Sequence, residues 1–167
     1  MEETFANILE KISFEKKDLF EKLLLKSIHT CKDSSKSTYA IHDNVIFKLD
    51  AFFKGFLDFQ NAYGRDKRYI AGVEALMVIG EELGIDMDRD ECFILYHIRD
   101  LGKFRMRESK LHDELKILWK QPPYRDFALV DQDFSYALKS LMKKSFIEYR
   151  RGNLHLNPSV LIRYKTK

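Results

Sequence analysis

The stretch SFIEYRRGNLHLNPSVL, Ser145–Leu161, has the pattern of a short β-hairpin. Apolar and polar residues alternate over 147–150 and again over 154–157, as in strands with one buried face. The RGN segment between them supplies the turn, because its glycine or asparagine accepts a positive φ. Arg150 and Arg151 are therefore predicted at the tip of the hairpin.

A helix is predicted immediately before this hairpin. Asp131 is a candidate N-cap, and apolar residues recur at helical spacing from Phe134 to Met142. The same spacing leaves a polar outer face, and its C-terminal end carries Lys143 and Lys144, where the helix dipole favours cations.

The second half, 88–167, begins with an acidic run that suits a helix N-terminus. An almost wholly apolar helix is predicted over Glu91–Leu101, followed by a short strand in KFRMRES. A further helix is predicted over Lys110–Lys120, and it ends before Pro122 and Pro123, which cannot continue it. The predicted order is helix, short strand, helix, helix and two-stranded hairpin.

The first half, 1–87, is predicted to contain about four helices. The first covers Thr4–Ile12, the second runs to about Thr30, the third covers Val45–Phe59, and the fourth runs from about residue 67 to 83. The third has a dense aromatic stripe, which we interpret mainly as core, although it also suits a dimer interface. The serine-rich CKDSSKSTYA is predicted to be a loop.

Composition indicates a globular protein of 167 residues, 45% apolar and 33% charged. Charge is uneven: residues 1–87 hold 12 Lys and Arg against 15 Asp and Glu, and residues 88–167 hold 17 against 11. The basic second half suggests a polyanionic partner. No run of 18 apolar residues and no signal peptide is present, and the two cysteines form no pattern, so we expect a cytoplasmic protein without membrane association.

Nothing in the sequence indicates catalysis. It contains no G-x-S-x-G, H-E-x-x-H or P-loop motif. His29, Cys31 and His42 match no established metal-binding spacing, and His97 and Cys92 are expected to be core residues. We therefore predict no enzymatic activity, no cofactor and no metal.

The order of elements from about Asp88 to Tyr164 resembles the winged helix-turn-helix superfamily. The segment FSYALKSLMKKSFIEYRRGNLHLNP looks like the recognition helix and wing of many bacterial winged-helix proteins. The ending NLHLNPSVLIR also resembles the winged-helix region of plasmid replication initiators from Gram-positive bacteria. The resemblance implies a mainly α protein, a helical N-terminal region followed by a winged helix-turn-helix domain with a small β-hairpin wing.

The resemblance also implies binding of duplex DNA, in transcription regulation or as an accessory to plasmid or other mobile-element replication. The N-terminal helices would then form a homodimer or bind a protein partner. The residues expected to contact DNA lie on the third helix and the wing: Gln132, Ser135, Tyr136, Lys139, Lys143, Lys144, Arg150 and Arg151.

An alternative is that the winged helix binds protein. Asp131 and Asp133 lie in the first turn of the third helix, where like charges weaken contact with phosphates, and the connection before this helix is long. Small winged-helix subunits of chromosome-organising ATPase complexes resemble this layout. The protein would then be a non-catalytic assembly subunit of such a complex or of a defence-type complex.

Overall fold

A computed structural model describes residues 1–12, 17–31, 44–60, 68–102, 105–118, 120 and 131–163. This part of the chain is mainly helical and contains two small antiparallel sheets. The elements are α1 (Glu2–Lys11), α2 (Lys17–Ser27), β1 (Ile28–Cys31), β2 (Asn44–Phe47), α3 (Leu49–Gln60), α4 (Arg68–Glu82), α5 (Arg89–Gly102), β3 (Arg105–Met106), α6 (Glu108–Leu118), α7 (Asp131–Lys143), β4 (Ile147–Arg150), β5 (Asn153–Leu156) and β6 (Val160–Arg163).

The aromatic side chains of α3 that the structure describes lie in the core, as predicted. Phe52, Phe53 and Phe56 are at most 2% exposed. The rings of Phe52 and Phe56 stack at 5.4 Å, and Phe20 of α2 meets Phe56 edge-on at 6.4 Å. Such offset and edge-to-face contacts add stability beyond the burial of apolar surface, so α3 is the centre of the first-half core.

The first sheet has three strands, in the order β1-β2-β6, and none of them was predicted from the sequence. The predicted second helix is wrong over residues 28–30, and the predicted third helix is wrong over residues 45–47, because these residues belong to the strands β1 and β2. The reason is physical: a short run of apolar and β-branched residues satisfies either geometry, and its pairing partner decides between them.

This sheet joins the two halves of the chain. Val45 and Phe47 of β2 pair with Ile162 and Val160 of β6, and all four side chains are buried. The halves are also joined where α4 packs against α5. A Cβ on Gly72 of α4 would lie 2.7 Å from the ring of Tyr96 of α5, so only glycine permits this close approach. The core is therefore continuous across the predicted boundary at residue 88.

The second sheet contains the predicted hairpin and the predicted short strand, in the order β3-β5-β4. Arg150 pairs with Asn153, leaving a two-residue turn in which Arg151 and Gly152 have φ of 50° and 78°. Two positive φ angles are the signature of a type I′ turn, whose twist suits a hairpin. The hairpin is confirmed, although Tyr149 is half exposed while Ile147 is buried.

Two helices end in the same way. Gly84 after α4 and Ser145 after α7 both have positive φ. The next residue in each case donates a backbone hydrogen bond into the helix: the Ile85 N–H donates to the Gly80 carbonyl, and the Phe146 N–H donates to the Leu141 carbonyl. This is the Schellman motif, which satisfies the last carbonyls of a helix. The predicted end of the fourth helix at about residue 83 is confirmed.

The first turn of α5 is capped reciprocally. The N–H of Glu91 donates to Asp88 Oδ1 at 2.8 Å, and the N–H of Asp88 donates to Glu91 Oε2 at 2.9 Å. This capping box explains why the acidic run begins a helix. The predicted break at Pro122 and Pro123 and most of the predicted serine-rich loop lie outside the described residues.

Candidate nucleic-acid interface

The outer face of α7 carries four of the predicted residues. Ser135, Tyr136, Lys139 and Lys143 are exposed, and the tyrosine is 71% accessible. The opposite face packs inward through Phe134, Ala137, Leu138 and Leu141, each at most 2% exposed. Helical periodicity thus aligns Tyr136, Lys139 and Lys143 along one side of the helix. The side chain of Gln132 lies outside the described part.

The tip of the hairpin presents Arg150 and Arg151 to solvent. Glu148, two residues before Arg150 and on the same face of β4, lies 2.5 Å from its guanidinium. This pair is largely exposed, so its carboxylate competes only weakly with an external anion. The backbone of Arg151 is fixed within the turn, because the side-chain amide of Asn153 donates to the Arg151 carbonyl at 3.4 Å.

Lys144 does not belong to this face. Its ammonium lies 2.7 and 2.8 Å from the carboxylate oxygens of Glu91, and it also donates to the Asp86 carbonyl. Glu91 is 1% exposed and the lysine side chain 25%. The last turn of α7 is therefore anchored to the start of α5, and the charge of Lys144 is used inside the protein.

The N-terminal end of α7 is acidic. Asp133 is exposed and lies within electrostatic reach of Asp90 on α5. Partial burial of Asp90, together with the nearby charges of Asp88 and Asp133, raises the pKa of its carboxyl group. A polyanion is consequently favoured towards Lys139, Lys143 and the hairpin, and is disfavoured at the first turn of α7.

A cavity of about 380 Å³ lies between the start of α6, α7 and the hairpin. Arg107 and Ser135 line it, as do Tyr149 and Gly152 of the hairpin. The Tyr149 hydroxyl donates to Glu108 at 2.9 Å, and this hydrogen bond raises the pKa of the tyrosine. The tyrosine therefore links the hairpin to α6 and closes one side of the cavity.

Two cations beside this face were missed by the sequence analysis. Arg105 of β3 and Arg107, immediately before α6, are both exposed. In the sheet, Arg105 lies opposite His155 of the neighbouring strand β5. The KFRMRES stretch gave a signal, since its basic residues alternate along the predicted strand. The candidate interface therefore comprises α7, the hairpin and the edge formed by β3.

The buried residues His97 and Cys92 occupy the core, as predicted. His97 donates from Nδ1 to the Phe93 carbonyl at 2.9 Å, and burial lowers its pKa to about 4. Burial also raises the pKa of the Cys92 thiol, which is inert in that state. Within the described ranges, no group of three or more His, Cys, Asp or Glu side chains is arranged to hold a metal.

No protein-family model, curated protein or solved structure matches this chain. Among the helices that the structure describes, none combines the length and apolar character needed to span a membrane.

Proposed function

We propose that the protein binds duplex DNA through a winged helix-turn-helix in its second half. The order α5-β3-α6-α7-β4-β5 supports this proposal, because a winged helix places a short strand after its first helix and a hairpin after its third. The sheet order β3-β5-β4 adds support, since the first strand pairs with the second arm of the hairpin.

The observation that carries the proposal is the set of exposed cations on α7 and the hairpin. Lys139 and Lys143 follow one side of the helix, and Arg150 and Arg151 extend from the adjoining tip. Contacts between such side chains and phosphates position a protein on DNA and provide affinity independent of sequence. Tyr136 and Ser135 on the same helix face are the residues proposed to reach base edges.

The proposed role is regulatory, or that of an accessory to replication of a plasmid or other mobile element, in the cytoplasm and without catalysis. The N-terminal helices would dimerise or receive a protein partner. In this role the buried His97 and Cys92 are core residues.

A second candidate function is that of a winged-helix assembly subunit that binds protein. It is favoured by the exposed aromatic residues Tyr136 and Tyr149, which are 71% and 49% accessible, because tyrosine is enriched in protein interfaces. It is also favoured by the pairing of Arg150 with Glu148, which lowers the net charge of the hairpin.

The test is fluorescence anisotropy of the purified protein with a labelled random duplex over a salt series. Four phosphate contacts by the exposed cations predict a slope of log K against log salt of about −3 to −4. Micromolar binding with such a slope supports the DNA-binding proposal. Absence of binding at low salt, by protein whose circular dichroism shows it folded, rejects this proposal and leaves the assembly subunit.

A further inference from the structure

A second groove among the described residues lies in the first half and is lined by none of the DNA-binding residues proposed above. It has a volume of about 780 Å³ and is formed by the end of α1, one side of α4 and residues 84–87. Its apolar floor consists of Ile12, Met77, Val78, Ile85 and Met87. Met77, Val78 and Ile85 are only partly buried, so the groove offers apolar surface that the fold itself leaves uncovered.

The groove is held open by the backbone around it. The Gly84 N–H donates to the Glu81 carbonyl at 3.1 Å, and the Ile85 N–H donates to the Gly80 carbonyl at 2.8 Å. The Asp86 carbonyl in the same segment accepts a hydrogen bond from Lys144. A binding site whose walls are fixed in this way needs little reorganisation to accept a ligand.

The rim of the groove is acidic. Glu74 and Glu81 lie seven residues apart on α4, about 10 Å along the helix axis, and Asp86 lines the groove from the segment that follows this helix. Lys11 also borders the groove, but its ammonium is 2.8 and 2.7 Å from the carboxylates of Glu81 and Glu82. The uncompensated charge is negative, which disfavours nucleic acid and anionic lipid at this site.

We infer that this groove binds an amphipathic helical segment of a partner protein, one that carries lysine or arginine beside its apolar face. The positions of Glu74, Met77, Val78 and Glu81 on α4 span two helical turns, the length over which a docked helix presents apolar residues at i, i+3, i+4 and i+7. Glu74 at one end of this stretch and Asp86 just beyond the other complement cations that flank the apolar face of the incoming helix. The methionines adapt their shape to such a face.

The inference does not depend on DNA binding and is tested separately. The probe is a labelled alanine-based peptide of about 16 residues, long enough to form a helix, with leucines at i, i+3, i+4 and i+7 and flanking lysines. The matched peptide has glutamate in place of each lysine. The full-length protein is labelled with ¹³C at its methionine methyl groups, and methyl spectra are recorded as each peptide is added at low salt.

The expected result is saturable shifts of the Met77 and Met87 signals with the lysine peptide, weak or absent shifts with the glutamate peptide, and no shift of Met106 in the second sheet. Glu74→Lys should weaken binding about fivefold, whereas the exposed control Glu21→Lys on α2 should leave it unchanged. Melting curves of both variants establish that they are folded.

Four outcomes overturn the inference: no saturable shift, equal binding of the two peptides, equal weakening by the two variants, or shifts that include Met106. Shifts of Met77 and Met87 on raising the protein concentration alone would show that a second copy of this chain occupies the groove. The same shifts with a DNA duplex would show a nucleic-acid site instead.

Discussion

Lys144, the residue directly after α7, forms an ion pair with Glu91 at the start of α5, with its ammonium within 2.8 Å of both carboxylate oxygens. The same carboxylate accepts the N–H of Asp88 and so completes the cap of α5. The buried side chain of Glu91 thus stabilises the beginning of α5 and fixes the end of α7. The orientation of the proposed DNA-binding helix depends on this contact.

Lys144→Met is expected to lower the free energy of unfolding by about 3 kcal/mol, because it leaves the Glu91 carboxylate buried without its cation. The matched control is Lys143→Met, one residue earlier and exposed, which should change stability by less than about 0.5 kcal/mol. Urea unfolding monitored by circular dichroism measures both. Equal effects of the two variants would show that the pair does not stabilise the fold.

Ser145→Gly is expected to stabilise the protein by about 0.5–1 kcal/mol. Ser145 occupies the left-handed region at φ 63°, where a side chain is unfavourable, and the equivalent position after α4 is already Gly84. Chemical denaturation gives the change directly. The reverse substitution Gly84→Ser serves as the control and should be destabilising, since it introduces a side chain at φ 71°.

Arg151→Asn should weaken DNA binding without damaging the hairpin. Asparagine accepts the positive φ of this turn position, so the wing keeps its conformation while it loses a charge. The salt slope should fall by about one, and the loss should be similar for all sequences. The control Lys54→Ala removes an exposed cation from α3 and should leave the slope unchanged. An unchanged slope in Arg151→Asn would remove the wing from the proposed interface.

Stability should fall as the pH is lowered from about 6.5 to about 4 because of His97. The folded protein holds this side chain neutral down to about pH 4, whereas the unfolded chain takes up its proton near pH 6.5. The unfolded state therefore binds more protons than the folded state in this window. Lowering the pH across it should reduce the free energy of unfolding by about 3 kcal/mol.

The measurement is urea unfolding at several pH values across this window, for the parent protein and for His97→Leu. The variant should have a flatter dependence on pH. His29→Gln, which changes an exposed histidine on β1, should keep the slope of the parent. If the dependence in His97→Leu is as steep as in the parent, other groups account for the acid sensitivity.

The Cys92 thiol should be unreactive in the folded protein. It is fully buried, and burial raises its pKa, so almost no thiolate is present at neutral pH. In a Cys31→Ser background, which leaves a single cysteine, reaction with a thiol reagent should be slow in buffer and fast in denaturant. Rapid reaction under native conditions would mean that α5 opens frequently.

The helices of the second half and the hairpin could be predicted because their signals are local. Apolar periodicity identified the outer face of α7, and the RGN segment identified the turn between β4 and β5. The exposed positions of Tyr136, Lys139 and Arg151 follow directly from those two patterns.

The parts that could not be predicted depend on contacts between distant residues. Asn44–Phe47 is a strand because Val160–Arg163 pairs with it, and no local signal indicates that pairing. Lys144 was assigned to the DNA face because a cation suits any helix C-terminus, whereas its partner Glu91 lies 53 residues earlier. Both differences arise because tertiary structure overrides local preference.

The pairing of β2 with β6 has a consequence for folding during synthesis. Because β6 emerges from the ribosome roughly a hundred residues after β2, the first sheet stays incomplete until almost all of the described chain has been made. Until then β2 has an open edge on which a strand from another molecule can pair. Nascent chains of this protein therefore expose an edge of β2 that β6 covers in the finished molecule, so aggregation through that edge is confined to the time before β6 pairs.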